Sequence, residues 1–193
     1  MAAVTRWGII TPMIQGERVR LRRIERDDLS RFVEWLNDPA IREHLALVYP
    51  MSLPEEEQWF EATLRLEPAG QPFAIDARAG TPGEEPAWLH IGSIGFHSID
   101  WRNRSADVGI VIGRRDYQGR GYGTDALRAL CRWGFGELNL NRIHLRVFED
   151  NPGGIACYEK LGFRHEGRLR QDRYQAGRYL DTLIMGLLRG ELR

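Results

Sequence analysis

The sequence predicts an α/β (α+β) fold, a central mixed sheet with helices on both faces. The first sign is order: strand-like and helix-like segments succeed one another as strand, helices, three strands, helix, strand, helix and two strands, a succession that a sheet layered with helices accommodates. The second is length, because 193 residues supply one substantial core and are short for two. The third is the stretch 116–126, DYQGRGYGTDA, whose glycines sit between an apolar strand-like run and a helical one.

Taken in order, residues 1–13 differ from the rest of the chain and are expected to form a loose N-terminal extension, leaving 14–193 as a single domain. An alternating pattern over 18–22 predicts the first strand. Asp27 or Asp28 is a capping candidate for a helix carrying Leu29, Phe32, Val33 and Leu36, which Asn37-Asp38-Pro39 stops. A short helix is expected over 39–45. Ser52 and Glu55 form a capping box with Pro54 in the first turn, opening a third helix to about residue 66 with Trp59, Phe60, Thr63 and Leu64 on its inward face. Strands are expected at 73–78 and 88–97, joined by the hairpin loop GTPGEEP at 80–86, and again at 105–112. Ala126, Leu127, Leu130, Cys131, Gly134 and Leu138 recur at helical spacing, which predicts a helix over 121–137. Next come a strand at 143–148 and a helix opened by Asn151-Pro152 and closed near Leu161-Gly162. Two last strands flank a turn at Gln175-Ala176-Gly177.

Composition excludes several functions. Acidic and basic side chains balance at 27 each, which argues against a surface built to grip nucleic acid or an anionic membrane. No secretory signal and no apolar run near about 20 residues is present, so a soluble, cytoplasmic protein is expected. Cys131 and Cys157 lie in helix-like segments without CxxC pairing and read as buried thiols. His44, His90, His97, His144 and His165 show no ligand spacing, so no metal is expected.

Backbone amides bared by glycine at a helix N-terminus make an anion site, because unpaired N–H groups and the positive end of the helix dipole point the same way. A Walker loop is excluded, since no GK[ST] comes after the glycines, and Gly119, Gly121 and Gly123 are spaced GxGxG, unlike the dinucleotide fingerprint. A third option, the pyrophosphate of coenzyme A, is what a resemblance to a known family implies. Gln118-x-x-Gly121-x-Gly123 and, about thirty residues later, NPGGIACYEKLGF at 151–163 resemble the two cofactor segments of the GCN5-related N-acetyltransferase (GNAT) family, and the element order fits over 14–190.

That resemblance implies a central mixed, mostly antiparallel seven-stranded sheet, with 14–193 as one acetyltransferase domain using acetyl-CoA. It implies that, in the loop opened by Gln118, the amides of Gly119, Arg120, Gly121, Tyr122, Gly123 and Thr124 cradle the pyrophosphate. The backbone of Ile110, Val111 and Ile112 would pair with the pantetheine arm in a gap between strands, where an amide can polarise the thioester carbonyl. Asn151 would hydrogen-bond the pantetheine, although Asn before Pro152 is also plain capping chemistry. Tyr158 would reach the sulfur as general acid.

Acetyl transfer needs a neutral amine, and a lysine-like amine of pKa about 10.4 is only about one part in a thousand neutral at pH 7, a deficit of roughly 4 to 5 kcal/mol. A base offsets this. Asp107, where relatives often place a carboxylate and more often Glu, is the first candidate, with His97 and Glu43 after it. Arg114, Arg115 and Arg120 either screen the cofactor's phosphates or form a solvated rim. The run EGRLRQDRYQAGRYLD at 166–181 is either a substrate-recognition surface or an ordinary polar sheet face, and is read as the latter. Direct attack by the amine is expected, because Cys157 lies about 100 degrees round the helix from Tyr158. The layout resembles the branch holding ribosomal-protein N-terminal acetyltransferases and polyamine acetyltransferases, which implies a protein N-terminus or small amine as acceptor, and a homodimer. An acyl-CoA-sensing module without catalysis is the alternative.

Overall fold

The computed structural model describes residues 13–79 and 87–193; all but the last residue of the expected N-terminal extension, and the expected turn at 80–86, lie outside them. The elements are β1 (Ile14–Gln15), β2 (Val19–Arg23), α1 (Leu29–Asn37), α2 (Pro39–Arg42), α3 (Leu53–Thr63), β3 (Phe73–Ala79), β4 (Ala87–Asp100), β5 (Ser105–Ile112), α4 (Tyr122–Gly136), β6 (Arg142–Phe148), α5 (Pro152–Leu161), β7 (Arg164–Gln175) and β8 (Arg178–Leu188). One sheet takes eight strands in the order β1-β2-β3-β4-β5-β6-β8-β7. Among the described residues β5 and β6 form the parallel pair, and the other neighbours run antiparallel.

Eight strands replace the expected seven. The extra one is β1: the Gly16 N–H donates to Val19 O at 2.9 Å, closing a turn that folds Ile14 and Gln15 back onto Leu21 and Arg20. Two residues are too short to carry a readable alternation.

On one face, α4 lays Ala126, Leu127, Leu130 and Cys131 onto Phe96, Ala106, Val108, Ile143 and Leu145, forming the main core. On the other, α1 and α3 bring Phe32, Trp35 and Phe60 against Ala74. α3 begins as expected, with Ser52 Oγ accepting from the Glu55 N–H and Glu55 accepting from the Ser52 N–H. It stops at Thr63, and its inward face is Glu56, Phe60 and Thr63, spaced four and three residues apart. Trp59 and Leu64, expected inside, are 38% and 51% exposed. α2 likewise stops at Arg42, short of residue 45.

Asp28 does not cap α1 through its side chain. Its buried carboxylate accepts from both terminal nitrogens of Arg22 at 2.7 and 2.8 Å and from the Glu25 N–H, and lies 3.1 Å from His90 Nδ1. Burial alone would raise this carboxyl, but the Arg22 and His90 contacts hold it well below the usual carboxylate range. The start of α1 is thereby tied to β2 and β4.

Candidate functional site

The middle of the sheet opens. β5 and β6 pair over three positions, Ser105 with Arg142, Ala106 with Ile143 and Asp107 with His144. Beyond them β5 continues to Ile112 beside β4, and β6 to Phe148 beside β8, without pairing to each other. Gly113 and Arg114 donate to Ile91 O at 2.8 and 3.2 Å, drawing the end of β5 toward β4. Backbone groups along 108–112 and 145–148 consequently face a wedge-shaped gap, and such groups require partners.

The glycine loop closes the top of this gap. Gln118 Nε2 donates to Ile112 O at 2.7 Å, binding the loop to the strand it leaves. Gly119 and Gly121 adopt φ of 65° and 86°, the left-handed region where a side chain is strained. The first α4 amide with an intrahelical acceptor is Asp125 N–H, to Gly121 O at 3.0 Å. Among the described residues the amides of Gly119 through Thr124 have no acceptor, and they stand at the positive end of a 15-residue helix. Ile110 and Ile112 reach beneath Gly123, with side-chain atoms 3.6 to 3.8 Å from where a β-carbon would stand.

Two residues that sequence reasoning missed hold this loop. Asp125 accepts from the N–H groups of Glu17, Arg18 and Val19 at 3.0, 2.7 and 3.1 Å. Arg18 donates to Arg120 O at 2.9 Å and lies over the Tyr122 ring at 4.0 Å. An acidic residue in a helix's first turn was the one visible signal; its partners lie more than a hundred residues away. The flanking arginines are engaged locally: Arg114 pairs with Asp116 at 3.0 Å, Arg120 donates to Asp116 O, and Arg115 lies 3.8 Å from Asp38.

The second motif meets the first directly, since Cys157 Sγ on α5 is 3.2 Å from Thr124 Oγ1 on α4. Burial pushes the Cys157 thiol up, so it is held protonated in the helix contact. Asn151 caps α5, its Oδ1 accepting from the Gly154 N–H at 2.8 Å, while its Nδ2 has no acceptor among the described residues. Tyr158 packs edge-on against Phe163 at the margin of the main core. Burial pushes its phenol well above the ordinary value, so it keeps its proton at neutral pH.

The sheet face opposite α4 carries two of the candidate bases, Asp107 and His97. Asp107 is half-buried beside His144, at the last β5–β6 pair. His97 occupies a bulge in β4. Glu43 comes just after α2, and its carbonyl receives a hydrogen bond from Arg173 of β7 at 2.6 Å. Arg173 also stacks on Phe148 at 3.7 Å. Its Nη1, Asp150 Oδ1, Gln175 Oε1 and His44 Nδ1 are buried without a partner among the described residues. β7, as expected, is a largely exposed polar strand.

Among the described residues no group of three or more His, Cys, Asp or Glu is placed to hold a metal, and no helix is long and apolar enough to cross a membrane.

A family model described as an acetyltransferase (GNAT) domain matches residues 18–164. The spermidine N(1)-acetyltransferase of Escherichia coli is 30% identical over 173 residues, covering 90% of this chain and 87% of that protein. A putative ribosomal N-acetyltransferase of Bacillus subtilis is 35% identical over 100 residues, 52% of this chain and 54% of that one. The crystal structure of spermidine N-acetyltransferase from Vibrio cholerae in complex with CoA and spermine superposes with a TM-score of 0.78 at 26% identity, covering 90% of this chain and 97% of that one. The chain belongs to the GNAT acetyltransferase family and is an N-acetyltransferase that uses acetyl-CoA.

Proposed function

We propose that residues 14–193 act as one cytoplasmic acetyltransferase domain that transfers acetyl from acetyl-CoA to a small primary amine of the polyamine kind, by direct attack. The observation that carries this reading is the run of unpartnered amides from Gly119 to Thr124 at the mouth of the gap between β5 and β6. A pyrophosphate supplies acceptors to that run, and a pantetheine arm supplies amides to the open edge at Ile110, Val111 and Ile112.

Acetyl-CoA brings a thioester, an acyl carbon already activated for attack. The chain's own groups do the rest. A backbone N–H on the open edge of β5 polarises the carbonyl at a fixed distance, without reorganising as charge develops. Asn151, whose Oδ1 is committed to its helix, offers Nδ2 to the pantetheine. Tyr158 donates to the sulfur as it leaves. Cys157, turned onto Thr124 and protonated, carries no acyl group. Asp107, His97 and Glu43 lie on the side from which the amine enters.

The small-amine acceptor is supported by likeness to spermidine acetyltransferases over nine-tenths of the chain, against about half for the ribosomal relative. Asp150 Oδ1 and Gln175 Oε1, buried without a partner among the described residues, offer acceptors to a cationic ligand, although Asp150 Oδ2 already lies 3.8 Å from Arg178. Release of free thiol from acetyl-CoA is measured with polyamines, aminoglycosides, amino acids and N-terminal peptides. Turnover with polyamines is expected, and turnover confined to peptides refutes the acceptor class. Tight acetyl-CoA binding without turnover on any amine would identify a sensing module. The reading includes a homodimer, and a monomer in sedimentation at micromolar concentration contradicts that part.

A further inference from the structure

We propose that His97 takes the proton released as the acceptor nitrogen becomes an amide; the inference deepens the transfer reading above and rests on it.

The β4–β5 register passes from Phe96 opposite Val108 to Ser98 opposite Asp107, leaving His97 as the extra residue of a bulge. Bulges bend a strand and re-aim one side chain. Here the ring is thrown across onto β5 at Gly109. A β-carbon on Gly109 would stand 1.9 Å from His97 Nε2 and 2.8 to 2.9 Å from two ring carbons. The imidazole therefore occupies the place of a side chain at 109, and any larger residue there must push the ring aside. Glycine inside a strand weakens it, and its presence marks a close approach.

The position is informative. Gly109 is two residues past Asp107, the last residue of β5 that pairs with β6. It forms part of the wall where the gap opens, immediately before the edge at 110–112. His97 is exposed, and neither ring nitrogen is hydrogen-bonded among the described residues. Asp107 on the next strand, and His144 paired with it on the strand beyond, lie to one side of it on the same sheet face. An imidazole accepts and returns a proton near neutral pH, which a short carboxylate does less well.

In the step, the amine lone pair forms the C–N bond and the C–S bond breaks with its electron pair on sulfur. One N–H proton passes to the His97 imidazole, and the sulfur receives a proton from Tyr158. His97 then loses its proton to solvent and Tyr158 regains one, so the protein returns unchanged.

The test compares His97→Ala, His97→Gln and Asp107→Asn, each verified as folded by thermal unfolding, with acetyl-CoA and the best amine of the panel. Both His97 variants should lose roughly 100-fold or more in kcat while KM for acetyl-CoA stays within about threefold. Added imidazole should restore at least about tenfold to His97→Ala and little to His97→Gln, a readout that a packing role would not produce. Asp107→Asn should lose less than His97→Ala. Gly109→Ala, which displaces the ring without removing it, should lower kcat too and serves if His97→Ala does not fold. Unchanged kcat, a loss that imidazole leaves untouched, or a larger loss in Asp107→Asn overturns the inference. Wild-type protein that acetylates no amine defeats the underlying reading instead.

Discussion

Replacing Asp125 by Asn keeps the side chain's shape and removes what it does. The carboxylate is 5% exposed and accepts three backbone N–H groups, Glu17 on Oδ1 and Arg18 and Val19 on Oδ2. An amide retains one oxygen and turns an NH2 toward the remaining donors, so either the Arg18 and Val19 amides or the Glu17 amide lose their acceptor. A hydrogen bond to a charged group contributes about 1.5 to 3 kcal/mol, and a stranded buried donor costs about as much. Losing one or two such bonds gives roughly 2 to 5 kcal/mol. For a chain of this length each kcal/mol moves Tm by about 2 to 4 °C, so Asp125→Asn should melt roughly 4 to 20 °C lower, those two ranges multiplied. The loosened turn carries Arg18, which holds Arg120 O and covers Tyr122, so KM for acetyl-CoA should rise about tenfold or more. Asp116→Asn, at a solvent-screened surface pair with Arg114, is the control and should leave Tm nearly unchanged. Differential scanning calorimetry with steady-state kinetics decides; an Asp125→Asn protein that melts within about 2 °C of wild type refutes the reasoning.

Burial pushes the Glu56 carboxyl from 4.5 up to about 7. The folded chain therefore binds that proton more tightly than the unfolded one, and the contribution is full below the lower value and lost as pH rises through the upper. Glu56→Gln should match wild type near pH 4.5 and exceed it by up to roughly 3 kcal/mol at pH 8, measured by urea unfolding at both; an equal gain at both pH values contradicts this. Cys157→Ala should keep turnover within about tenfold, its loss being the packing against Thr124, and trapping of an acetylated thiol on wild-type protein would contradict direct transfer.

Local patterns made much of the fold readable. The Ser52–Glu55 capping box, the spacing from Ala126 to Gly134 and the αL glycine Gly162 closing α5 all act within a few residues. The glycine loop was readable for the same reason, since its conformation depends on its own dihedrals. What stayed hidden depends on partners distant in sequence. Asp125 meets residues more than a hundred positions away, and Asp28 reads as a cap until Arg22 and His90 converge on it. Glu56 lies one turn before Phe60 on the buried stripe of α3, which a charged residue type does not suggest. β4 runs to Asp100, past the expected end at 97, because the bulge at His97 interrupts the alternation without ending the strand. The opening between β5 and β6 is a failure of pairing and leaves no mark on either strand's own pattern.

The central claim, that the amides of Gly119 to Thr124 hold the pyrophosphate of coenzyme A, is tested most directly by calorimetric titration of coenzyme A and pantetheine into wild-type protein and Gly121→Ala. Gly121 sits at φ 86° with Arg18 Nη1 the nearest atom at 3.7 Å from a β-carbon placed there. Alanine thus strains the loop by about 1 to 2 kcal/mol without a clash in the rest of the fold. Two or more hydrogen bonds to a charged phosphate correspond to roughly 100-fold in affinity. Coenzyme A should bind wild type at least about that much more tightly than pantetheine, and Gly121→Ala should cut that preference by roughly 5- to 30-fold while leaving pantetheine unchanged. Equal binding of the two ligands by wild type, or an undiminished preference in Gly121→Ala, would contradict it.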